Sequence, residues 1–532
     1  MLIVSPIHSV TTPTVGVGYL ASALKAEGIE CPIVDLNIRL RQWLQENHVS
    51  LSWLEWLFPY GERTFGGEML LSQACFDRCV DDVLDSAHGI KSSSFQDFFH
   101  RLAPESRLRT AEAARIRDLV RSYLESSAVE IARTATNWLG FSVVVTNQLA
   151  VIFLLRQIHK LRPDIRIVLG GPHFNRDNAR SWIEAFPEAE ALIVGEARSA
   201  LVAWVNRDEE GYRNQIVRRD LAETPIAMAP KQSKQWLSAD WSDVDWVAYL
   251  NVTQDLQPTN PSEGSAVPIM GARGCSYNRC TFCYEVLLAP TYHPRRVEDV
   301  VDEICHQYRM TGQSDFFLTD LDLNSDYQRT LELARTIKLR APSIRFHCWL
   351  RAHELDEDIL TALYDAGARS WFVGIEAVTD NLLSLMHKGY DGQHARRVIA
   401  LMARFANRKP DLRYAFNLIP NYPGETIDDV KTTFDIIRQS RSQYYGCTGA
   451  LYEFTLTVNS IAWKNRHKMG LKNLVGWNSV IMPRDLRDRL PSHVYWYERE
   501  DDSSAERRLI WDHIRVLIGH EPHYIRLGIN PQ

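Results

Sequence analysis

Two blocks of short apolar runs alternating with amphipathic stretches constrain this chain more than any other feature. Strands buried on both faces read as short apolar runs, and the helices between them carry a 3.6-residue period. A chain that repeats this pattern folds as a parallel sheet covered by helices. The first block holds strands at Leu2–Ser5, Cys31–Leu36, Leu139–Val145, Ile165–Leu169 and Ala189–Val194, with helices at Tyr19–Glu27 and Asn147–Leu161. The second holds strands at Val267–Met270, Asp315–Leu318, Ile344–Leu350, Ser370–Val373, Leu412–Ile419 and Tyr452–Leu456. Its helices fall at Val297–Met310, Tyr327–Leu339, Asp356–Ala366, Gly392–Arg404 and Ile427–Arg438. That is fewer units than a closed eight-fold barrel needs.

The intervals set the expected domain boundaries. Residues 38–136 are rich in Leu, Trp, Arg and Glu with few β-branched runs, and read as a helical insertion within a first domain, 1–204. Residues 205–265 contain Pro225, Pro230, Pro258 and Pro261 and read as a linker to a second domain, 266–465. Residues 466–532 are polar and charged and form a C-terminal region without a chemical motif.

Composition excludes several classes. Of 532 residues, 45% are hydrophobic and 24% charged, as in a globular protein, and Lys+Arg 60 against Asp+Glu 66 leaves a net charge of −6. So weak a field attracts neither nucleic acid nor membrane. The opening MLIVSPIHSV lacks a basic n-region and a long apolar core. The most apolar stretch, Leu149–Leu155, is far short of the ~18 residues of a membrane span. A soluble, cytoplasmic protein with no nucleic-acid or membrane partner is expected.

Nine cysteines are present, and three of them crowd into Gly271-Ala-Arg-Gly274-Cys275-Ser-Tyr-Asn-Arg-Cys280-Thr-Phe-Cys283. An odd count with one dense cluster is not a disulfide framework and suggests a metal or redox site. Three thiolates on one loop hold three corners of an iron–sulfur cube and leave one iron open to a ligand. The spacing alone also admits a structural zinc site with His293 as a fourth ligand, or free structural cysteines. Cys75 and Cys79 stand one helical turn apart and read as packing residues.

This second domain resembles the radical S-adenosylmethionine (SAM) superfamily. The family loop is Cys-x3-Cys-x2-Cys with an aromatic before the last cysteine; here Phe282 and the second spacing match, and the first spacing is one residue longer. Trp371-Phe-Val-Gly374-Ile375-Glu376 looks like the family strand whose acid reaches SAM, and Met386-His-Lys388-Gly389 looks like the Lys-Gly that follows it. Asn417 and Asn421-Tyr-Pro423-Gly424-Glu425-Thr426 resemble a strand-end Asn and a Pro-Gly-Glu-Thr loop. Leu318-Thr-Asp320-Leu-Asp322 falls where members carry an acidic strand end, and Arg351 pairs with the SAM carboxylate or is a surface arginine. The resemblance implies a partial (β/α)6 barrel, a [4Fe-4S] cluster on Cys275, Cys280 and Cys283, and SAM held by Glu376, Arg351, Asp320 and Asn417.

In the first domain, Gly16-x-Gly18-x-x-Ala21 with Asp35 fits a dinucleotide fingerprint. It is a decoy: the stretch from Ser5 to Gly16 is too long and carries Pro6 and Pro13, whereas the fingerprint needs a tight strand-to-helix turn. Pro13-x4-Gly18-Tyr-Leu, Asp35-Leu-Asn37, Gly140-Phe-Ser142, Thr146-Asn147-Gln148, Gly170-Gly171-Pro172 and Gly195-Glu196 instead resemble the Rossmann-like cobalamin-binding domain that precedes the barrel in one radical SAM subfamily. That resemblance implies cobalamin contacts from Thr12, Thr146, Asn147, Gln148, Gly170, Gly171, Gly195 and Glu196. The Asp-x-His-x-x-Gly motif that supplies a histidine below cobalt is absent around His8.

The α/β reading is therefore a cobalamin-binding domain with a helical insertion, then a radical SAM partial barrel and a small C-terminal region. The resemblance implies a cobalamin-dependent methyltransferase using a 5′-deoxyadenosyl radical on a natural-product or peptide substrate, with an external electron donor such as flavodoxin or ferredoxin. A cyclase or rearrangement enzyme with the same cofactors is one alternative, and a zinc-stabilised binding protein is the other. A methylthiotransferase fits less well, since no first-domain cysteine set matches an auxiliary cluster. Tyr495, Trp496, Tyr497 and Trp511 make the tail aromatic and suit either a substrate pocket or a core.

Overall fold

Apolar runs too short for helices become strands in both halves of the chain. The computed structural model describes residues 1–8, 10, 12–58, 66–72, 110–135, 137–212, 215–220, 236–256, 266–285, 291–443, 447–451 and 454–499. Cys75, Cys79, Pro225, Pro230, Pro258, Pro261 and Trp511 lie outside the described residues, as does the Trp496 side chain. The chain divides into two units, one of Met1–Lys91, Phe95–Thr259 and Val475–His493, the other of Ser92–Ser94, Asn260–Leu474 and Val494–Gln532. No helix among the described residues is long and apolar enough to cross a membrane.

The first unit is a six-stranded sheet. Its elements run β1 (Leu2–Val4), α1 (Val15–Ala26), β2 (Ile33–Asp35), α2 (Leu36–Glu46), α3 (Leu51–Leu57), α4 (Gly66–Leu71), α5 (Ala111–Thr134) and β3 (Trp138–Ser142). They continue through α6 (Gln148–Leu161), β4 (Arg166–Gly170), α7 (Arg176–Ala185), β5 (Ala191–Ile193), α8 (Arg198–Val205), β6 (Ile216–Val217) and α9 (Trp246–Leu256). The strand order is β2-β1-β3-β4-β5-β6, parallel except for β6. α2 to α5 fill the described part of the expected insertion. Asp35 starts α2 by accepting the N–H groups of Asn37 and Ile38, and its other oxygen accepts the Tyr249 hydroxyl at 2.6 Å. The dinucleotide-like Gly18 has a packing reason: a Cβ there would stand 2.4 Å from the Trp241 ring. Leu2, Val4, Leu24, Val168, Ile193 and Trp204 form part of a core cluster between the sheet and its helices.

The second unit runs β7 (Val267–Ile269), α10 (Val297–Thr311), β8 (Asp315–Leu318), α11 (Tyr327–Arg340), β9 (Arg345–Arg351), α12 (Glu357–Asp365) and β10 (Ala368–Glu376). It goes on through α13 (Asp380–Leu385), α14 (Gly392–Asn407), β11 (Arg413–Leu418), α15 (Ile427–Gln443) and β12 (Cys447–Leu451). All six strands are parallel, in the order β12-β11-β10-β9-β8-β7, so the sheet is the open six-unit form. Aspartates cap the helices between strands: Asp326 accepts from Arg329 N–H, Asp356 from Ile359 N–H and Asp391 from His394 N–H. The sixth strand of this sheet lies at Cys447–Leu451; of the expected Tyr452–Leu456, residues 452 and 453 lie outside the described residues, and Leu456–Thr457 pairs antiparallel with Val494–Tyr495 in a separate three-stranded sheet. The Cys-Thr-Gly-Ala-Leu sequence of β12 is weak in β-formers, and pairing with β11, Tyr414↔Cys447 to Leu418↔Leu451, overrides that weakness.

Two glycines separate conformational strain from steric exclusion. Gly312 ends α10 at φ 68 with open space where a Cβ would stand, whereas Gly367, at φ 106 before β10, would place a Cβ 2.4 Å from the Ile344 carbonyl oxygen. Gly312→Ala is expected to cost about 1 kcal/mol and Gly367→Ala at least about 3 kcal/mol. Denaturant midpoints of the two variants check this; equal shifts would refute it.

Candidate functional site

In the second unit, the cysteine loop is anchored before it is functional. Strand β7 leads into Gly271, and the Asp320 carboxylate just beyond β8 accepts the N–H groups of Gly271 at 2.6 Å and Ala272 at 3.0 Å. A Cβ on Gly271 would lie 2.8 Å from both Asp320 oxygens, so only glycine fits. Burial pushes the Asp320 carboxyl up to about 6, against the pull of Arg329 and of these N–H groups. Ala272–Arg273 then pairs antiparallel with His293–Pro294, which places His293 in a ribbon opposite Arg273.

Cys275, Cys280 and Cys283 stand outside any disulfide and are half-buried. The longer first spacing is accommodated by Asn278 in the left-handed region, φ 49. The Cys275 thiol lies 3.8 Å from the Asp322 carboxylate. The loop is clamped to the turn after α13. Tyr277 donates its hydroxyl to His387 O at 2.6 Å, and Thr281 donates its N–H to Met386 O and its hydroxyl to Leu385 O, both at 3.1 Å. Burial pushes the Cys280 thiol up, and the Lys388 charge opposes this.

Glu376 ends β10 with φ 67, where the register against β11 shifts between Gly374 and Glu376. Its buried carboxylate lies 3.2 Å from the Lys388 ammonium. Burial pushes Glu376 up, and Lys388 opposes it. Arg351 ends β9 with its guanidinium 3.5 Å from the centre of the Tyr277 ring, and it donates to Lys388 O at 2.7 Å. Its Nε is buried without a hydrogen-bond partner among the described residues. Asn417 is half-buried on β11, in register with Gly374. The Pro-Gly-Glu-Thr loop starts α15: Thr426 and Asp429 exchange side-chain and backbone bonds at 3.0 and 3.2 Å. A buried carboxylate and an unused guanidinium N–H on one sheet edge match the two charged groups of an α-amino acid.

No three His, Cys, Asp or Glu side chains among the described residues converge on a single ion position. A zinc site needs four ligands within about 2.0–2.3 Å of one ion. A four-iron cluster takes each thiolate on a different iron, so donors spread along a fixed loop fit it.

In the first unit, the strand order reverses between β1 and β3, where open parallel sheets bind ligands beyond their carboxyl ends. Thr12 lies in the loop after β1, and Thr146, Asn147 and Gln148 are buried after β3. Asn147 ties the loops together: its amide donates to Ser5 O at 3.2 Å and Ser142 O at 3.3 Å, and its oxygen accepts Val144 N–H at 2.9 Å. Gln148 donates to Val145 O at 2.9 Å. Gln148 Oε1, Ser5 Oγ and Glu68 Oε2 are buried without partners among the described residues. Gly170 O accepts Val143 N–H at 2.7 Å. Gly171, at φ 115, would place a Cβ 2.5 Å from Val143 O, so the backbone itself requires that glycine. Gly195, at φ 83, faces open space instead. Glu196 is engaged by Arg198 at 3.0 Å. Unpartnered polar atoms near the switch point and an open glycine after β5 suit a large polar cofactor.

Tyr277 and Glu68 were not among the expected site residues, and Lys388 was noted only within its motif. Nothing in the sequence marks Tyr277, but Glu68 had a signal: it is the lone charge in the otherwise apolar helix Gly66–Leu71.

Residues 269–437 match the family model of the Radical SAM superfamily. An uncharacterized methyltransferase of Pyrococcus horikoshii is 23% identical over 58% of this chain and 67% of its own length. The chain spans only 44% of a tRNA-2-methylthio-N(6)-dimethylallyladenosine synthase of Desulforamulus reducens, at 24% identity over 37% of this chain. Among solved structures, the radical SAM methyltransferase TsrM of Kitasatospora setae, with cobalamin and a [4Fe-4S] cluster bound, has a TM-score of 0.61 at 15% identity, covering 98% of this chain and 92% of that one. TsrM has also been solved with tryptophan substrate and the SAM analogue aza-SAM. The cobalamin-dependent SAM radical enzyme OxsB, with aqua-cobalamin and SAM bound, has a TM-score of 0.59 at 14% identity, covering 97% of this chain and 66% of that one.

Glu68 makes the stability of the first unit depend on pH. Its carboxylate accepts Leu149 N–H at 3.0 Å, and burial pushes its pKa from 4.5 up to about 8 against the pull of the Leu149 and Gln148 N–H groups. Between those two values the folded chain holds a proton that the unfolded chain has released. Stability therefore falls as pH rises through this window and levels off above it. Glu68→Gln is expected to flatten that slope. Melting temperatures of both proteins from pH 5 to about 8.5 test the sign, and parallel curves would refute it.

Proposed function

We propose that this chain, which belongs to the radical SAM superfamily through its second unit, is a cobalamin-dependent methyltransferase. Its substrate would be a natural product or peptide, methylated at an unreactive centre. The observation that carries this reading is the fold likeness to TsrM across both units, rather than across the barrel alone.

When bound, the cluster and SAM supply one-electron chemistry and cobalamin a transferable methyl group. The chain's residues take separate tasks. Cys275, Cys280 and Cys283 hold the cluster on a loop that Asp320 and the turn at Leu385–Gly389 keep in place. Glu376 accepts hydrogen bonds from the SAM amino group, Arg351 donates through Nε to its carboxylate, and Asn417 lies on the same edge. In the first unit, Thr12, Thr146, Gln148, Gly170 and Gly195 line the cobalamin crevice, with Asn147, Gly171 and Glu196 shaping it. An external one-electron donor such as flavodoxin or ferredoxin completes the system.

The comparable likeness to OxsB, a cobalamin-dependent SAM radical enzyme, favours one second reading: a cyclase or rearrangement enzyme with the same cofactors. Formation of S-adenosylhomocysteine separates the two.

Anaerobic purification from cobalamin-fed cells is expected to give about four iron and one cobalt per chain. Cys280→Ala is expected to lose the iron and retain the cobalt. Elemental analysis checks both. Iron without cobalt would overturn the methylcobalamin reading, and zinc in place of iron would overturn the enzyme itself.

A further inference from the structure

The turn Met386–Gly389 does more than clamp the cysteine loop. Lys388, within it, is only 3% exposed. A buried ammonium is retained only where other groups compensate its lost hydration. Its ion-pair partner is Glu376, at 3.2 Å. Two aromatic faces complete its surroundings: the Phe282 ring centre at 5.8 Å, from the cysteine loop itself, and the Tyr390 ring centre at 5.9 Å. Tyr390 is fixed by donating its hydroxyl to Gly374 O at 3.1 Å and Ile375 O at 3.2 Å, the two residues before Glu376. Burial works to discharge Lys388, but its surroundings, the Tyr390 hydroxyl and the Glu376 carboxylate among them, outweigh it and hold the ammonium above the ordinary lysine range.

The location gives this cation two tasks. Glu376 sits on strained backbone at φ 67, so its carboxylate needs a tether to keep one direction. Lys388 supplies that tether to Oε1 and leaves Oε2 for a second cation. The same ammonium faces the ring of Phe282, which lies between Cys280 and Cys283, and its turn accepts the N–H of Thr281, the residue after Cys280, at Met386 O. A fixed positive charge beside a cluster stabilises its more negative, reduced form.

We propose that Lys388 is a positioning residue with a double role: it aims Glu376 at the SAM amino group, and it raises the reduction potential of the cluster on Cys280. This rests on the reading above, in which the loop holds a cluster and Glu376 meets SAM.

The test uses the full chain, anaerobically reconstituted, with iron and sulfide content, an EPR-monitored redox titration and SAM affinity read from the perturbation of the cluster spectrum. Lys388→Met is expected to keep wild-type iron, move the midpoint potential to more negative values and weaken SAM binding about tenfold or more. Glu376→Gln leaves the lysine charge uncompensated, so it is expected to move the potential the opposite way while also weakening SAM binding. Opposite shifts are a signature that simple loosening of the fold does not produce. The proposal is overturned if Lys388→Met leaves potential and SAM affinity unchanged, or if both variants shift the potential in one direction. Should Lys388→Met fail to load iron, Glu376→Gln decides alone, and the absence of a positive shift overturns the proposal. A wild-type chain that binds no iron would instead overturn the cluster reading on which it rests.

Discussion

Parallel pairing throughout β7–β12 is the constraint from which the second unit's site follows. When every strand runs the same way, every loop after a strand opens on one edge of the sheet. Cys275, Asp320, Arg351, Glu376 and Asn417 are far apart in the chain, yet each ends or follows a strand. The register β10 keeps with β9 and β11, Arg351↔Gly374 and Gly374↔Asn417, lines up Arg351 and Asn417 across Gly374, two residues before Glu376. The proposed site draws side chains from five segments at once, and the parallel backbone brings those segments to one edge.

Most of this architecture was legible because parallel strands buried on both faces leave a plain apolar signal. Asp315–Leu318 stands where the sequence placed it, and most other strands differ only at their ends. Strand β12 was not legible, because Cys447–Leu451 is held by its neighbour rather than by its own propensity. The acids and cysteines were legible by type, but their supports were not. Tyr277 reaches His387 O, and Arg351 reaches Lys388 O, through backbone carbonyls, and a carbonyl has no residue identity to read.

The glycines show why a motif needs its context. Gly18 belongs to a pattern that reads as phosphate binding, yet its missing Cβ makes room for Trp241. Gly171 sits in a ligand-type turn, yet the Val143 backbone demands it. Gly195 has the same kind of positive φ and, among the described residues, no neighbour within 4 Å on its Cβ side. A sequence gives the three one letter, and only the surrounding atoms separate packing, backbone approach and open space.

Buried charge divides in the same way. Among the described residues, the second unit holds two nearly inaccessible ion pairs, Arg295–Glu303 and Lys388–Glu376. Arg295 also donates to Met270 O and Asp299 O, so its pair stitches the start of the loop to α10 and serves structure. Lys388–Glu376 sits at the open edge instead, beside a cysteine and an arginine with a spare N–H. A buried pair is weak evidence for stability, since removing two charges from water costs nearly what their attraction returns. A pair that lies where strand ends and thiols meet is better explained by what it prepares to bind.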